Sequence, residues 1–163
     1  MSLTLPLHPL VVHLPLALVV VVAGLDLAAL AWPRLRLARM ALGLQAIATL
    51  GALGAYVTGD AAEHAVEHLP GIEPFLERHE ALGLALLIGA GLVLAVRGAL
   101  VWRGLTGGLA GRAVAAALGV GLAGLAAVTG HAGGVLVYEH GAGVKPGLVI
   151  PAAPAHGDEN HAR

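Results

Sequence analysis

The chain has 163 residues, 58% hydrophobic and 12% charged, with a formal net charge of −1 and a mean hydropathy of +0.85. One soluble core of this length cannot hide that much apolar surface, so the composition predicts a bilayer protein. A buried subunit of a soluble complex would need charged outer helix faces, which the apolar runs lack. The absence of cysteine excludes disulfides, iron–sulfur clusters and thiolate metal sites, and the charge argues against nucleic-acid binding.

Four apolar stretches are long enough to cross about 30 Å of hydrocarbon: Pro9 to Ala31, Ala38 to Thr58, Glu80 to Trp102 and Gly111 to Gly130. The expected fold is therefore all-α, a four-helix transmembrane bundle in one domain over residues 1–145, with a flexible tail over 146–163. In the first stretch Pro9 suits the opening turn and His8 the N-cap, while Trp32-Pro33 closes the helix. The run from Leu10 to Ala31 has no basic residue before it and is too long for a signal-peptide core, so it reads as a retained helix. Asp26 lies within this span, where a neutral packing hydrogen bond is the expected state.

The second stretch carries Gln45, Thr49, Tyr56, Asp60, Glu63 and Glu67 in steps of four, seven, four, three and four, one face of a helix continued to about Leu69. Polar groups at membrane depth turn inward, so this face predicts an inward Glu63, with His64 and His68 rotated off it. His79 opens the third stretch and His131 ends the fourth. Beyond Gly130, Val135-Leu136-Val137-Tyr138 suggests a short strand or re-entrant cap. Gly51, Gly54, Gly83, Gly89, Gly91, Gly119, Gly121 and Gly124 suit close helix approach.

Arg34, Arg36, Arg39, Arg97, Arg103 and Arg112 cluster around the first and third links, against Arg78, Lys145 and Arg163 elsewhere. This bias predicts both termini outside the cell's inner membrane, in a multi-pass chain. All nine histidines then lie toward the outer end. Three of them, His13, His79 and His131, start or end different helices at that end. With Glu63 from the fourth helix they form a candidate cofactor or metal set, assisted by His8, His64 and Glu80.

The run Leu7-His8-Pro9-Leu10-Val11-Val12-His13-Leu14-Pro15-Leu16-Ala17-Leu18, with Asp26 beyond it, resembles a bacterial membrane family catalogued as domain of unknown function 2231. The stretch from Gly130 to Val144, Thr58-Gly59 and His79-Glu80 resemble the same family. The resemblance spans roughly residues 5 to 145 and implies a four-helix membrane domain. Members fused to cytochrome c-like or rubredoxin-like domains imply an electron-transfer setting, though this chain carries no such domain.

Three functions follow from the residues. The first is a b-type haem held by His79 with His13 or His131, exchanging electrons with an external redox partner or quinone. The second is a non-haem zinc, iron or copper site of His13, Glu63, His79 and His131; a carboxylate beside imidazoles suits zinc or iron better than copper(I). The third is non-enzymatic: an accessory subunit of a larger membrane complex, a homo-oligomer, or a pH sensor.

Overall fold

In a computed structural model, which describes residues 7–144, the chain forms four long helices: α1 (Leu7–Ala31), α2 (Ala38–Glu63), α3 (Glu73–Trp102) and α4 (Leu109–Tyr138). The Leu-, Val- and Ala-rich runs favour helix, and each element satisfies its own backbone polar groups, as lipid requires. All four are long and apolar enough to cross a membrane. A helix of 25 residues, the length of α1, spans roughly 37 Å at about 1.5 Å per residue.

The helix ends have local causes. Pro33 cannot donate to the preceding turn and holds Trp32 out of the helical region (φ −125°, ψ 76°). A short 3-10 turn, Pro33–Leu35, then ends on Arg36 in the left-handed region (φ 49°). Gly104 (φ 69°) turns the chain after α3 without the penalty a Cβ would bring. At the far end of α4 the N–H of Ala142 donates to Leu136 and that of Gly141 (φ 68°) to Val137. The left-handed Gly141 ends the helix here, and Ala142 packs against the cluster of Ile72, Leu76 and Leu136.

In the bundle α1 and α3 each pack against both α2 and α4, so α1 and α3 stand on one diagonal. Small residues set the spacing: Ala48, Ala90 and Ala126 are at most 1% exposed and cluster with Val19, Val93 and Leu122. Gly51 gives room to Pro15, Gly54 to Val11 and Gly89 to Leu122, whereas Gly83, Gly91, Gly121 and Gly124 have no neighbour within 4 Å of a built Cβ. The outward faces carry exposed Leu10, Val20, Leu50, Val57, Ile88 and Leu92, side chains for which lipid is the matching solvent. Gln45 is fully buried; its Nε2 lies 3.4 Å from the Ala90 carbonyl, and Thr49 Oγ1 lies 3.3 Å from the same oxygen. The inward turn expected for Gln45 thus joins α2 to α3.

Several boundaries differ from the sequence expectation. The second helix stops at Glu63 rather than about Leu69, and turns lead through Gly71 (φ 73°) into α3. The third begins at Glu73, seven residues ahead of Glu80, and the fourth runs to Tyr138. The expected strand or cap at Val135–Tyr138 is therefore the last turn of α4, and no strand occurs among the described residues. The cap is instead the segment between α2 and α3, where Ile72, Leu76 and Leu136 form a small core with Val66 and Leu69. The expected tail at 146–163 lies outside the described residues.

Candidate functional site

At the end of the bundle where α1 and α3 begin, two imidazoles meet. The His8 and His79 ring centroids are 6.3 Å apart, with the planes at 84°. All four helices contribute. His8 projects from the first turn of α1 toward α2, where its Nδ1 lies 2.9 Å from the Ala55 carbonyl and 3.3 Å from Thr58 Oγ1. A carbonyl only accepts, so Nδ1 carries a proton, and in the neutral ring Nε2 then keeps its lone pair. Thr58 is free to accept because its own hydroxyl proton goes back to the carbonyls of Gly54 or Ala55.

Two glycines make the pair fit. A Cβ at Gly59 on α2 would stand 3.2 Å from Cε1 of His8, and one at Gly133 on α4 would stand 3.0 Å from Cε1 of His79. His79 also lies against the backbone of Thr129 on α4. Its buried Nδ1 makes no hydrogen bond of ordinary geometry among the described residues, with a Thr129 backbone acceptor beside the ring. An imidazole nitrogen in that state leaves a cost of about 1–3 kcal/mol unless something else meets it.

The set expected from sequence is not brought together. His13 is exposed and its Nδ1 turns back to the Pro9 carbonyl. It follows His8 by five residues, about 140° around the helix, so the two cannot share a face. His131 is exposed for the same reason: it lies two residues from both Thr129 and Gly133, which face inward. Glu63, half-buried at the last residue of α2, sits among Glu80, Asp60, Glu67 and His64 rather than with the imidazole pair. Glu80, His64 and His68 are exposed. No group of three or more His, Asp or Glu is placed to hold a metal ion among the described residues. His8 is a helical residue turned into the bundle, not the expected N-cap. His140 packs on Phe75, ring centroids 4.1 Å apart.

The rim around the pair is acidic, with Asp60, Glu63, Glu67, Glu73, Glu77, Glu80 and Glu139 against Arg78 alone among the described Lys and Arg. On that rim the exposed His64 ring is held above its ordinary range. The bond from its Nδ1 to the Asp60 carbonyl (2.8 Å) is the main cause, and the nearby Glu67 and Asp60 carboxylates add to it.

A second polar centre lies toward the opposite end. Asp26 on α1 and Arg97 on α3 form a two-pronged ion pair, Nη1 to Oδ1 at 2.6 Å and Nη2 to Oδ2, with both side chains 4% exposed. Arg97 Nη2 also reaches the Ala115 carbonyl of α4 at 3.3 Å. Gly119 makes the space, since a Cβ there would fall 2.5 Å from Asp26 Oδ2. Asp26 is thus charge-paired rather than a neutral hydrogen-bonding group. Its partner had been counted with the basic residues at the helix ends.

A family described as a predicted membrane protein (DUF2231) matches residues 4–146. The chain belongs to this family. No curated protein and no solved structure matches the chain. The family match and the four apolar helices together make the chain a multi-pass membrane protein. His8, Thr58-Gly59, His79 and Gly133 all fall within the matched span.

Proposed function

We propose that this DUF2231 protein holds one metal centre between His8 and His79 and passes electrons through it, with the histidine end facing outside the inner membrane. The ring separation is the observation that carries this reading. Imidazole nitrogens bind such metals at about 2.0 Å, so two rings on opposite sides of one ion stand roughly 6 Å apart, centre to centre. The observed 6.3 Å suits that arrangement. The His8 tautomer supports it, because a backbone carbonyl on one ring nitrogen is the usual way to orient the other toward a metal. The acidic rim would raise the local concentration of cations.

Opposed two-imidazole ligation suits haem iron or a copper(I) ion; zinc prefers four ligands in a tetrahedron. With Glu63 outside the pair, the objection to copper(I) from a neighbouring carboxylate no longer applies. The packing favours the bare ion. Gly59 and Gly133 lie directly against the two rings, and a porphyrin would have to part α2 and α4 there.

The test is copper(I) titration and haem supplementation of the purified full chain, read by elemental analysis and absorption. One copper per chain, lost in His8→Ala and His79→Ala but kept in His13→Ala and His131→Ala, is expected. A Soret band lost in the same two variants would keep the ligand pair and replace copper by haem. Neither species bound would overturn the proposal and leave the pair as helix packing in an accessory subunit.

A further inference from the structure

The end of the bundle remote from the histidines carries charge of one sign. Arg34, Arg36 and Arg39 around the first link and Arg103 and Arg112 around the third have no carboxylate within ion-pair distance among the described residues. The one carboxylate nearby, Asp26, is taken by Arg97. The two links meet on one side of the bundle, since Ala38, which opens α2 just after the first link, and Thr106 of the third link line the same small cavity beside that ion pair. Arg34, Arg36, Arg39 and Arg103 are exposed, while Arg112 leans back toward the Gly107 carbonyl at 3.5 Å.

Two tryptophans fix the depth of this rim. Trp32 and Trp102, which close α1 and α3, are 62% and 85% exposed. Exposed tryptophans at helix ends sit at the headgroup level of a bilayer. The guanidiniums one to four residues away then lie among phosphates rather than out in the aqueous phase, and Ala31, Trp32, Pro33, Arg34 and Leu35 line a concavity there. Guanidinium is the side chain whose forked donors match a phosphate oxygen pair.

We propose that this basic rim is a binding site for anionic phospholipid headgroups, which gather around the first and third links in preference to zwitterionic lipid. Depth and charge together decide the partner. A soluble acidic segment would also find positive charge, but the tryptophans place that charge inside the interface. Basic residues near an anionic surface are attracted to it, an effect that fades within a Debye length.

The chain has two tryptophans, both on this rim, so their fluorescence reads the lipid beside it. The full chain is reconstituted in phosphatidylcholine vesicles containing a minor fraction of brominated lipid, either phosphatidylglycerol or phosphatidylcholine. Brominated phosphatidylglycerol should quench several-fold more per mole fraction. The difference should shrink in Arg34→Gln/Arg103→Gln, persist in Arg78→Gln at the other end, and collapse when salt is raised from about 0.05 to 0.5 M. The salt arm needs no variant, so poor folding of the double substitution does not remove the test. Equal quenching by the two lipids in the unmodified chain, or a preference indifferent to salt, would overturn the proposal.

Discussion

The Asp26–Arg97 pair makes the sharpest energetic prediction. Both side chains are 4% exposed, and the guanidinium spans α1, α3 and the Ala115 carbonyl of α4. Substituting Arg97→Met leaves a carboxylate packed against Gly119 with nothing to neutralise it. Breaking a buried pair from one side costs about 3–5 kcal/mol, because the remaining charge is uncompensated. Asp26→Leu should cost a similar amount by stranding the guanidinium. Asp26→Leu combined with Arg97→Met removes both charges at similar volume, and such replacements are often neutral or stabilising by about 1–4 kcal/mol. Reversible denaturant titration in micelles, followed by far-ultraviolet circular dichroism, gives the four free energies of the cycle. The expected coupling is about 6 kcal/mol or more, the sum of the two single costs, with the double variant near the parent. A double variant destabilised by the sum of the two singles would refute the reasoning and show that shape, not charge, holds this end together.

Gly119→Ala should destabilise the same end by about 1–3 kcal/mol, since its Cβ would fall 2.5 Å from Asp26 Oδ2 and 2.9 Å from Arg97 Nη2. Gly121→Ala, with open space around it, should be neutral or slightly stabilising in the same titration. Ile72→Ala should cost about 2–4 kcal/mol, because the residue is fully buried at the centre of the cap with Leu76 and Leu136. The His64 ring titrates above its ordinary range, so its contribution to stability is complete at low pH and is lost as pH rises through the folded-state value. In an NMR titration Glu67→Gln should lower the His64 midpoint only in part, because the Asp60 carbonyl bond remains.

The four spans were legible because about twenty apolar residues in a row have few other solutions. Their ends nearest the histidines were not. Glu73 to His79 and His131 to Tyr138 mix charge, glycine and apolar residues, so hydropathy alone cuts the helices short there, while the packing of Ile72, Leu76 and Leu136 extends them. The described histidines do lie toward one end of the bundle, but they do not all face its interior. His13 and His131 lie on the inward-facing helices at about the right level, yet on their outer sides. Counting in steps of about 100° from Thr129 and Gly133 would have excluded His131 once either was known to face inward. His8 was legible only as an assisting ligand, because its place beside Pro9 suits a capping role equally well. Arg97 was hidden by its nearness to Trp102: five residues, or roughly 7.5 Å, separate a guanidinium at the interface from one that must find an acid inside.

The two polar centres differ in a way that bears on function. At the basic end a formal charge meets a formal charge, Ala115 takes a further donor, and glycine on a third helix closes over the pair. Such a unit fixes the relation of α1 to α3 without needing a ligand. At the other end the same two helices present a pair of imidazoles, and glycines on α2 and α4 admit the rings. There two ring nitrogens, His79 Nδ1 and His140 Nε2, are buried with no partner among the described residues, and His79 is the one that faces a second imidazole. Arg97 Nε is unpartnered too, but it can only donate and its neighbouring nitrogens are satisfied. An imidazole nitrogen can also bind a metal. A bundle already clamped at one end can hold such a nitrogen in place at the other, where a tight carboxylate–guanidinium lock supplies the rigidity that a preorganised ligand pair requires.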